Sequence, residues 1–421
     1  MPPISPQEPW AQVSEVLRLI RSGEAQTRPE LADAAGLGRN VITLRIQAAE
    51  TLGLIQPSGE LRSRGGRAAE VWEVNPDAAR LLVGIIGANQ LRVVLADLRL
   101  KPIADHIVDW PYSGPEETCE RMAQEMEALL ADEPLPLWGV GIGMLAPVDF
   151  FTGRSADPVT PTVAGQRWPR DFDVRRWFVR RLNTPVWVES LSNLMALGAA
   201  AEPGAPDDLI AIRMELGVGS GIVSDGKVHR GADWIAGETN HIVVQPDSER
   251  ICMCGRLGCL DAFAGAWAVE ADAHKAIAQG RPTVLAAKDQ AEVDLDAIVD
   301  AAESGDIPAA EIVLRAADAL GRVLAAIVTW FNPRRVVIGG NALASSQLFH
   351  GAMSRTLYAV ALSASVRQLE LRQGRSDHFE EVLGALTMVR DALFSQTFLS
   401  AWGPLGAPDR VDQLHTRESQ F

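Results

Sequence analysis

Apolar residues recur at Val13, Val16, Leu17 and Ile20. This is the i, i+3, i+4, i+7 stripe of one helix face and predicts a helix over 11–22. Thr27 with Glu30 three residues on is a capping box, which opens a second helix over 28–35. Gly36-Leu37-Gly38 makes a tight turn, and a third helix follows over 39–52 with Val41, Leu44, Ala48 and Leu52 expected to face inward. Helix, glycine turn, helix is the helix-turn-helix pattern, although an ordinary three-helix cap reads the same way. Leu54-Ile55 then predicts a short strand, and residues 70–74 alternate like a second one. Between them, Pro57-Ser58-Gly59 and Arg64-Gly65-Gly66-Arg67 are loop signals. Two strands joined by a basic glycine loop form a wing.

Asn75-Pro76-Asp77 marks a junction, after which the pattern changes. Strands are expected over 81–86, 91–98, 138–144, 185–189, 209–214, 221–223 and 335–338, and helices over 116–130, 192–201, 309–331 and 380–395. Alternation of the two predicts an α/β body. From Gly403 the chain is rich in glycine, proline and polar residues and reads as a mobile tail. The expected organisation is a head over 1–78, a body over 79–402 and a tail over 403–421.

Length and composition add limits. A chain of 421 residues holds two to three domains. With 47% apolar and 22% charged residues it has a globular composition. The net charge of −15 argues against a nucleic-acid coat, but the charge is uneven. Between Thr27 and Arg67 six arginines face four carboxylates, a balance of +2 that leaves −17 for the rest. A locally basic head on an acidic body suits a protein whose head alone meets an anion. The opening MPPISPQEPW has neither the basic start nor the apolar core of a signal peptide. No apolar run approaches the roughly 18 residues of a membrane span. A cytoplasmic protein without a membrane partner is expected, with Cys119 as a buried small apolar residue.

The chemistry concentrates in one stretch. His241, Cys252, Cys254 and Cys259 give H-x10-C-x-C-x4-C, one imidazole and three thiolates. That is a complete tetrahedral set for Zn2+, and with no open position the zinc would be structural. Gly255 and Gly258 would let the backbone fold tightly around it. A disulfide or three unrelated thiols are the competing readings. Oxidised pairing is disfavoured in a chain without a secretory signal.

The preceding residues extend the motif. Gly231-Ala232-x3-Ala236-Gly237-Glu238-x2-His241 leads into the cysteine loop and resembles the signature of the ROK family of repressors and sugar kinases. Asn240 stands where the family has glycine, and Asp261 where it has glutamate. The resemblance runs from about Leu81 onward. It implies the two-lobed actin-like ATPase (ribonuclease H-like) fold, with a C-terminal helix returning to the first lobe. It also implies that Glu238, His241 and Asp261 contact a sugar, Glu238 accepting from adjacent hydroxyls. Glu238 ordering its own loop is the plainer alternative.

The same resemblance tests for kinase activity. The family's phosphate loop carries an aspartate where Val83-Gly84-Ile85-Ile86-Gly87-Ala88-Asn89 has Ile85, and a glycine where it has Ala88. An isoleucine cannot hold a metal or its waters. The second loop, Gly217-Val218-Gly219-Ser220-Gly221, has Val218 in place of a threonine, while Gly339-Gly340 survives. The family's catalytic base is an aspartate where Leu191 stands, beside Ser190 in place of a sugar-contacting asparagine. Leucine cannot accept a proton, so no catalytic residue is assigned and the body reads as catalytically dead.

The expected protein is a ROK-type transcriptional regulator, a repressor of carbohydrate metabolism genes: a winged helix-turn-helix head on operator DNA, a body that dimerises or forms a dimer of dimers, and a sugar or sugar derivative as effector. Arg39, Asn40 and Thr43 at the start of the third helix would reach base edges, Arg45 would touch a phosphate or stay solvated, and Arg64 and Arg67 would reach phosphates or the minor groove. The rivals are an ATP-dependent sugar kinase and a zinc-stabilised scaffold with no small ligand.

Overall fold

The computed structural model describes residues 8–61, 69–111, 113–156, 168–375 and 377–408. It begins with three helices, Glu8–Ser22, Arg28–Ala34 and Arg39–Thr51, followed by an antiparallel pair of strands, Ile55–Leu61 and Ala69–Val74. The first helix buries Val13, Val16, Leu17 and Ile20 as its spacing requires. The Thr27–Glu30 capping box is present, with the Thr27 N–H donating to the Glu30 carboxylate at 3.0 Å.

Two expectations for this region are corrected. The third helix buries Ile42, Ile46 and Ala49, whereas Leu44 is 56% exposed. Its apolar residues form two stripes offset by one position, and only packing against the other helices selects one of them. Pro57-Ser58-Gly59 lies inside a strand and not in a loop, at a register shift opposite Val71 and Trp72. A two-stranded sheet is all edge, so it tolerates proline and a bulge there.

The body contains two five-stranded sheets of the same design. In the first, Pro102–Asp109, Gln90–Asp97 and Arg80–Ile86 pair antiparallel, then Leu137–Met144 and Val186–Ser190 add in parallel. In the second, Lys227–Val228, Val218–Ser224 and Leu209–Met214 pair antiparallel, then Arg335–Gly340 and Glu370–Gln373 add in parallel. This duplicated order is the actin-like arrangement. The strand Pro102–Asp109 gave no sequence signal because it is an edge strand, mostly exposed and without clean alternation.

The long helix Ile307–Phe331 fills the core of the second lobe. The helix Phe379–Leu393 crosses back to the first lobe and packs on the helix Leu191–Ala200. Glycines set that crossing. A Cβ on Gly384 would lie 1.8 Å from the Leu194 carbonyl oxygen, and one on Gly198 would lie 2.0 Å from that of Glu380. One hydrophobic core runs from the N-terminal helices through the first lobe to Trp402. Packing continues past the boundary expected at Gly403. Gly403 is buried against the Trp10 ring in the short turn Gly403–Leu405. Among the described residues no helix is long and apolar enough to cross a membrane.

Candidate functional site

The stretch from Gly231 to Asp261 contains little regular structure, and its shape is set by turns. Thr239–His241 forms one turn of 3-10 helix, and isolated bridges pair Val243 with Cys259 and Ile251 with Leu257. Gly258, at φ +72°, has room only for hydrogen, since a Cβ would sit 2.0 Å from the Gln245 carbonyl oxygen. The Cys252 N–H donates to the Arg256 carbonyl at 2.8 Å, and the Gly255 N–H to the Cys252 carbonyl at 2.8 Å. Arg250 ties the loop to the lobe, donating to both Asp272 oxygens at 3.0 and 2.8 Å and to the Ala262 carbonyl at 3.1 Å.

These turns bring one ligand atom each from His241, Cys252, Cys254 and Cys259 within 4.8 Å of one another. Cys254 Sγ lies 3.8 Å from Cys259 Sγ, and His241 Nδ1 lies 3.6 Å from Cys252 Sγ. A tetrahedral site with metal–sulfur bonds of about 2.3 Å and metal–nitrogen bonds of about 2.0–2.1 Å has edges of about 3.8 Å and about 3.6 Å respectively. The donors therefore fit a metal ion. Without one, burial pushes the Cys252 and Cys259 thiols up. Burial also opposes ionisation of Cys254, but hydrogen bonds from Arg256 and the neighbouring thiols outweigh it and hold that thiol low. A bound cation would favour all three thiolates.

Next to the cluster a pocket opens between the lobes. Glu238, Asn240, His241 and Asp261 line it from the second lobe, and Met144, Leu145, Ser190 and Leu191 from the first. The three residues singled out for sugar contact therefore share one pocket, in different settings. Glu238 is exposed. Asp261 is 3% exposed, its Oδ1 accepting the Val218 N–H at 2.9 Å and its Oδ2 the Trp267 indole N–H at 3.1 Å. Burial pushes its carboxyl above the usual range.

Leu191 is 1% exposed. A Cβ on Gly143 would meet Leu191 at 2.6 Å and Ile85 at 2.9 Å, so the two side chains converge on the same glycine. Ser190 caps the helix Leu191–Ala200, accepting the Asn193 N–H at 3.3 Å. Arg230 donates to the fully buried Glu189 at 2.6 Å and lies over the Phe150 ring, while Trp234, which lines the pocket, stands edge-on to Phe151 at 5.0 Å. Trp234 and Arg213 were not singled out from the sequence. Trp234 sits in an irregular loop, and Arg213 interrupts a buried strand without a motif.

A second cleft beyond Arg213 is lined by Gly87, Ala88, Glu215, Glu270, Asp294 and His378, among others. Arg213 Nε donates to Glu381 at 3.0 Å. His378 lies 3.5 Å from Glu381 and 3.2 Å from Glu215.

At the N-terminal end, Arg39 and Asn40 are exposed on the first turn of the third helix. The Thr43 hydroxyl donates to the Arg39 carbonyl at 2.9 Å, and Arg45 Nε donates to Gln12 at 2.7 Å, which fixes that guanidinium against the first helix. Arg64 and Arg67 lie outside the described residues.

Comparison with known proteins separates two groups. The chain is similar to the xylose repressor of Caldicellulosiruptor bescii, 24% identical over 387 residues, which is 90% of this chain and 95% of that one. It is also similar to the glucokinase of Thermotoga maritima, 26% identical over 287 residues, but that match takes in 67% of this chain and 87% of the kinase. Among solved structures, a ROK family transcriptional regulator described as a homologue of the Escherichia coli MLC protein superposes with a TM-score of 0.81. It is 21% identical and covers 93% of this chain and 98% of its own. The ROK family itself matches residues 83–392, and the chain belongs to that family.

Proposed function

We propose that the protein is a DNA-binding transcriptional regulator of carbohydrate genes, acting as a repressor, with a sugar-binding body that has no kinase activity. The observation that carries this reading is the pairing of a helix-turn-helix head with a ROK body in which Leu191 and Ile85 pack together on Gly143. A leucine there takes no proton from a sugar hydroxyl, and an isoleucine holds no metal–nucleotide. The repressor-named relative aligns along nearly its whole length, whereas the kinase relative leaves about a third of this chain unmatched. The repressor relative's name mentions xylose, which supports a sugar as effector.

In this reading residues 1–78 form the DNA-binding unit and 79–402 the effector and dimerisation unit, with the turn Gly403–Leu405 packed on Trp10 instead of opening a tail, in a cytoplasmic protein. Arg39, Asn40 and Thr43 reach base edges in the major groove. Arg64 and Arg67 reach phosphates, and Arg45 holds the helix in place through Gln12. A single head makes few base contacts, so two heads on a homodimer would read a roughly palindromic site. His241, Cys252, Cys254 and Cys259 hold Zn2+, which supplies a fixed cross-link for the pocket wall. Glu238 accepts from sugar hydroxyls, whereas Asp261, expected at the sugar, gives its oxygens to Val218 and Trp267 and positions the start of the strand Val218–Ser224.

Binding titrations on DNA from upstream of the gene and on a scrambled duplex test the proposal. The protein should prefer the former, and Asn40→Ala should lose roughly 1–3 kcal/mol of that preference. A panel of sugars with ATP should yield no ADP. Turnover of any sugar, together with equal binding to both duplexes, would favour a sugar kinase instead.

A further inference from the structure

The pocket has two chemically different walls. From the second lobe Glu238, Asn240 and His241 present polar groups, while from the first lobe Met144, Leu145 and Leu191 present hydrocarbon. Ser190 and Ser192 stand beside this hydrocarbon, Ser190 Oγ accepting the Asn193 N–H as a helix cap. Arg213 is turned to Glu381.

Asn240 carries the inference further. It stands where the family signature has glycine, yet it is not among the residues at positive φ, so its backbone does not call for glycine. Its amide nitrogen faces His241 Nε2 at 3.3 Å, and its Oδ1 is buried with no hydrogen-bond partner among the described residues. With His241 Nδ1 turned to Cys252, Nε2 is the ring atom left to meet the amide. Whichever end of the amide turns to the ring, the other is left buried and unsatisfied. A buried polar atom of this kind is costly unless something else bonds to it. The pocket is where that partner can come from.

We infer that the effector is a sugar with hydroxyls on one edge and none on the other, of the pentopyranose or 6-deoxyhexose class, and that Asn240 anchors its hydroxylated edge. The hydroxylated edge bonds to Asn240 and Glu238. The bare edge lies against Leu145 and Leu191, whose hydrocarbon offers a hydroxymethyl oxygen no hydrogen bond. A hydrophobic wall disfavours an added hydroxyl by only about a hundredfold, whereas a site polar group left unpaired by the wrong sugar costs far more. This inference rests on the body being a sugar sensor.

Calorimetric titration of the zinc-loaded full chain with matched sugars tests it. The pairs are D-xylose against D-glucose, D-fucose against D-galactose, and L-fucose against L-galactose, with N-acetylglucosamine added. In at least one pair the member without the 6-hydroxyl should bind at least tenfold more tightly, and no other sugar should bind better. Asn240→Gly should weaken that sugar at least tenfold with zinc content and melting temperature unchanged. Tighter binding of the 6-hydroxylated members or of N-acetylglucosamine, or an Asn240→Gly variant with full affinity, would overturn the inference and leave the sensor reading intact. If no sugar binds and none alters DNA binding, the sensor reading falls and the inference with it.

Discussion

Of the two lobes that face each other across the pocket, the first meets it with strand ends and a helix start packed into a hydrophobic core, Met144 and Leu191 both being almost fully buried. The second meets it with a loop that has one turn of 3-10 helix, two isolated bridges and a run of exposed apolar side chains including Ile242, Val243, Ile251 and Leu257. The sheets behind them share one strand order, so the difference is local. One wall is held by apolar packing distributed over many residues. The other depends on four ligand atoms and an arginine clamp, and should fail as a unit when any of these is removed.

The largest effect is expected at the metal cluster. Cys254→Ser removes one of four ligand atoms that could hold a metal, and apparent zinc-binding energies in small zinc peptides are about 10–16 kcal/mol. Loss of several kcal/mol is expected, together with loss of about one zinc per chain. Hydrogen exchange should show residues 242–260 exposed while strands Arg80–Ile86 and Leu137–Met144 keep their protection. Equal loss of protection in both lobes would mean that the walls are not independent. The complementary change is Leu191→Ala in the first wall, which should cost about 2–5 kcal/mol as a core truncation. Its zinc content should be unchanged. A thermal shift with metal analysis checks both points, and zinc loss in this variant would break the contrast.

The same contrast explains what the sequence made legible. The metal loop was readable because ligand spacing and glycines leave a local record: His241, Cys252, Cys254 and Cys259 do meet. Most core strands and the long helix were readable because burial imposes period and length. What was missed depends on partners distant in sequence. The third helix carries apolar residues on two adjacent faces, and the choice of Ile42 and Ile46 over Leu44 is made by the helix it meets. Edge strand Pro102–Asp109 is too exposed to leave an apolar signature. Arg213 gains its place only when the C-terminal helix brings Glu381 to it from 168 residues away. Likewise, nothing local says that Ile85 and Leu191 will share Gly143.

The smallest effect is expected where the lobes are joined electrostatically. His378 lies at the start of the C-terminal helix on the first lobe, 3.5 Å from Glu381, and reaches Glu215 of the second lobe at 3.2 Å. The Glu381 hydrogen bond raises the His378 pKa above its ordinary value, against the cost of burial, with further help from the Glu215 charge. Burial opposes ionisation of Glu381, but the His378 hydrogen bond and Arg213 outweigh it, and its carboxyl is held below the usual range. For a raised histidine, the stabilisation is complete below the unfolded pKa of about 6.5 and is lost as pH rises through the folded value. For the depressed carboxylate, the stabilisation is present above about 4.3 and is lost as pH falls through its folded value. The network is therefore strongest between these limits and weakens on the alkaline side through His378 alone. His378 is partly exposed, so solvent screening keeps its share to about 1 kcal/mol or less. Melting temperatures of the unmodified protein should fall between pH 6 and 8.5 by a small margin that His378→Gln abolishes. Glu381 is kept in that variant because its loss would strand the buried Arg213. If His378→Gln retained the full alkaline fall, the slope would come from other groups, and His378 would not help to join the two lobes.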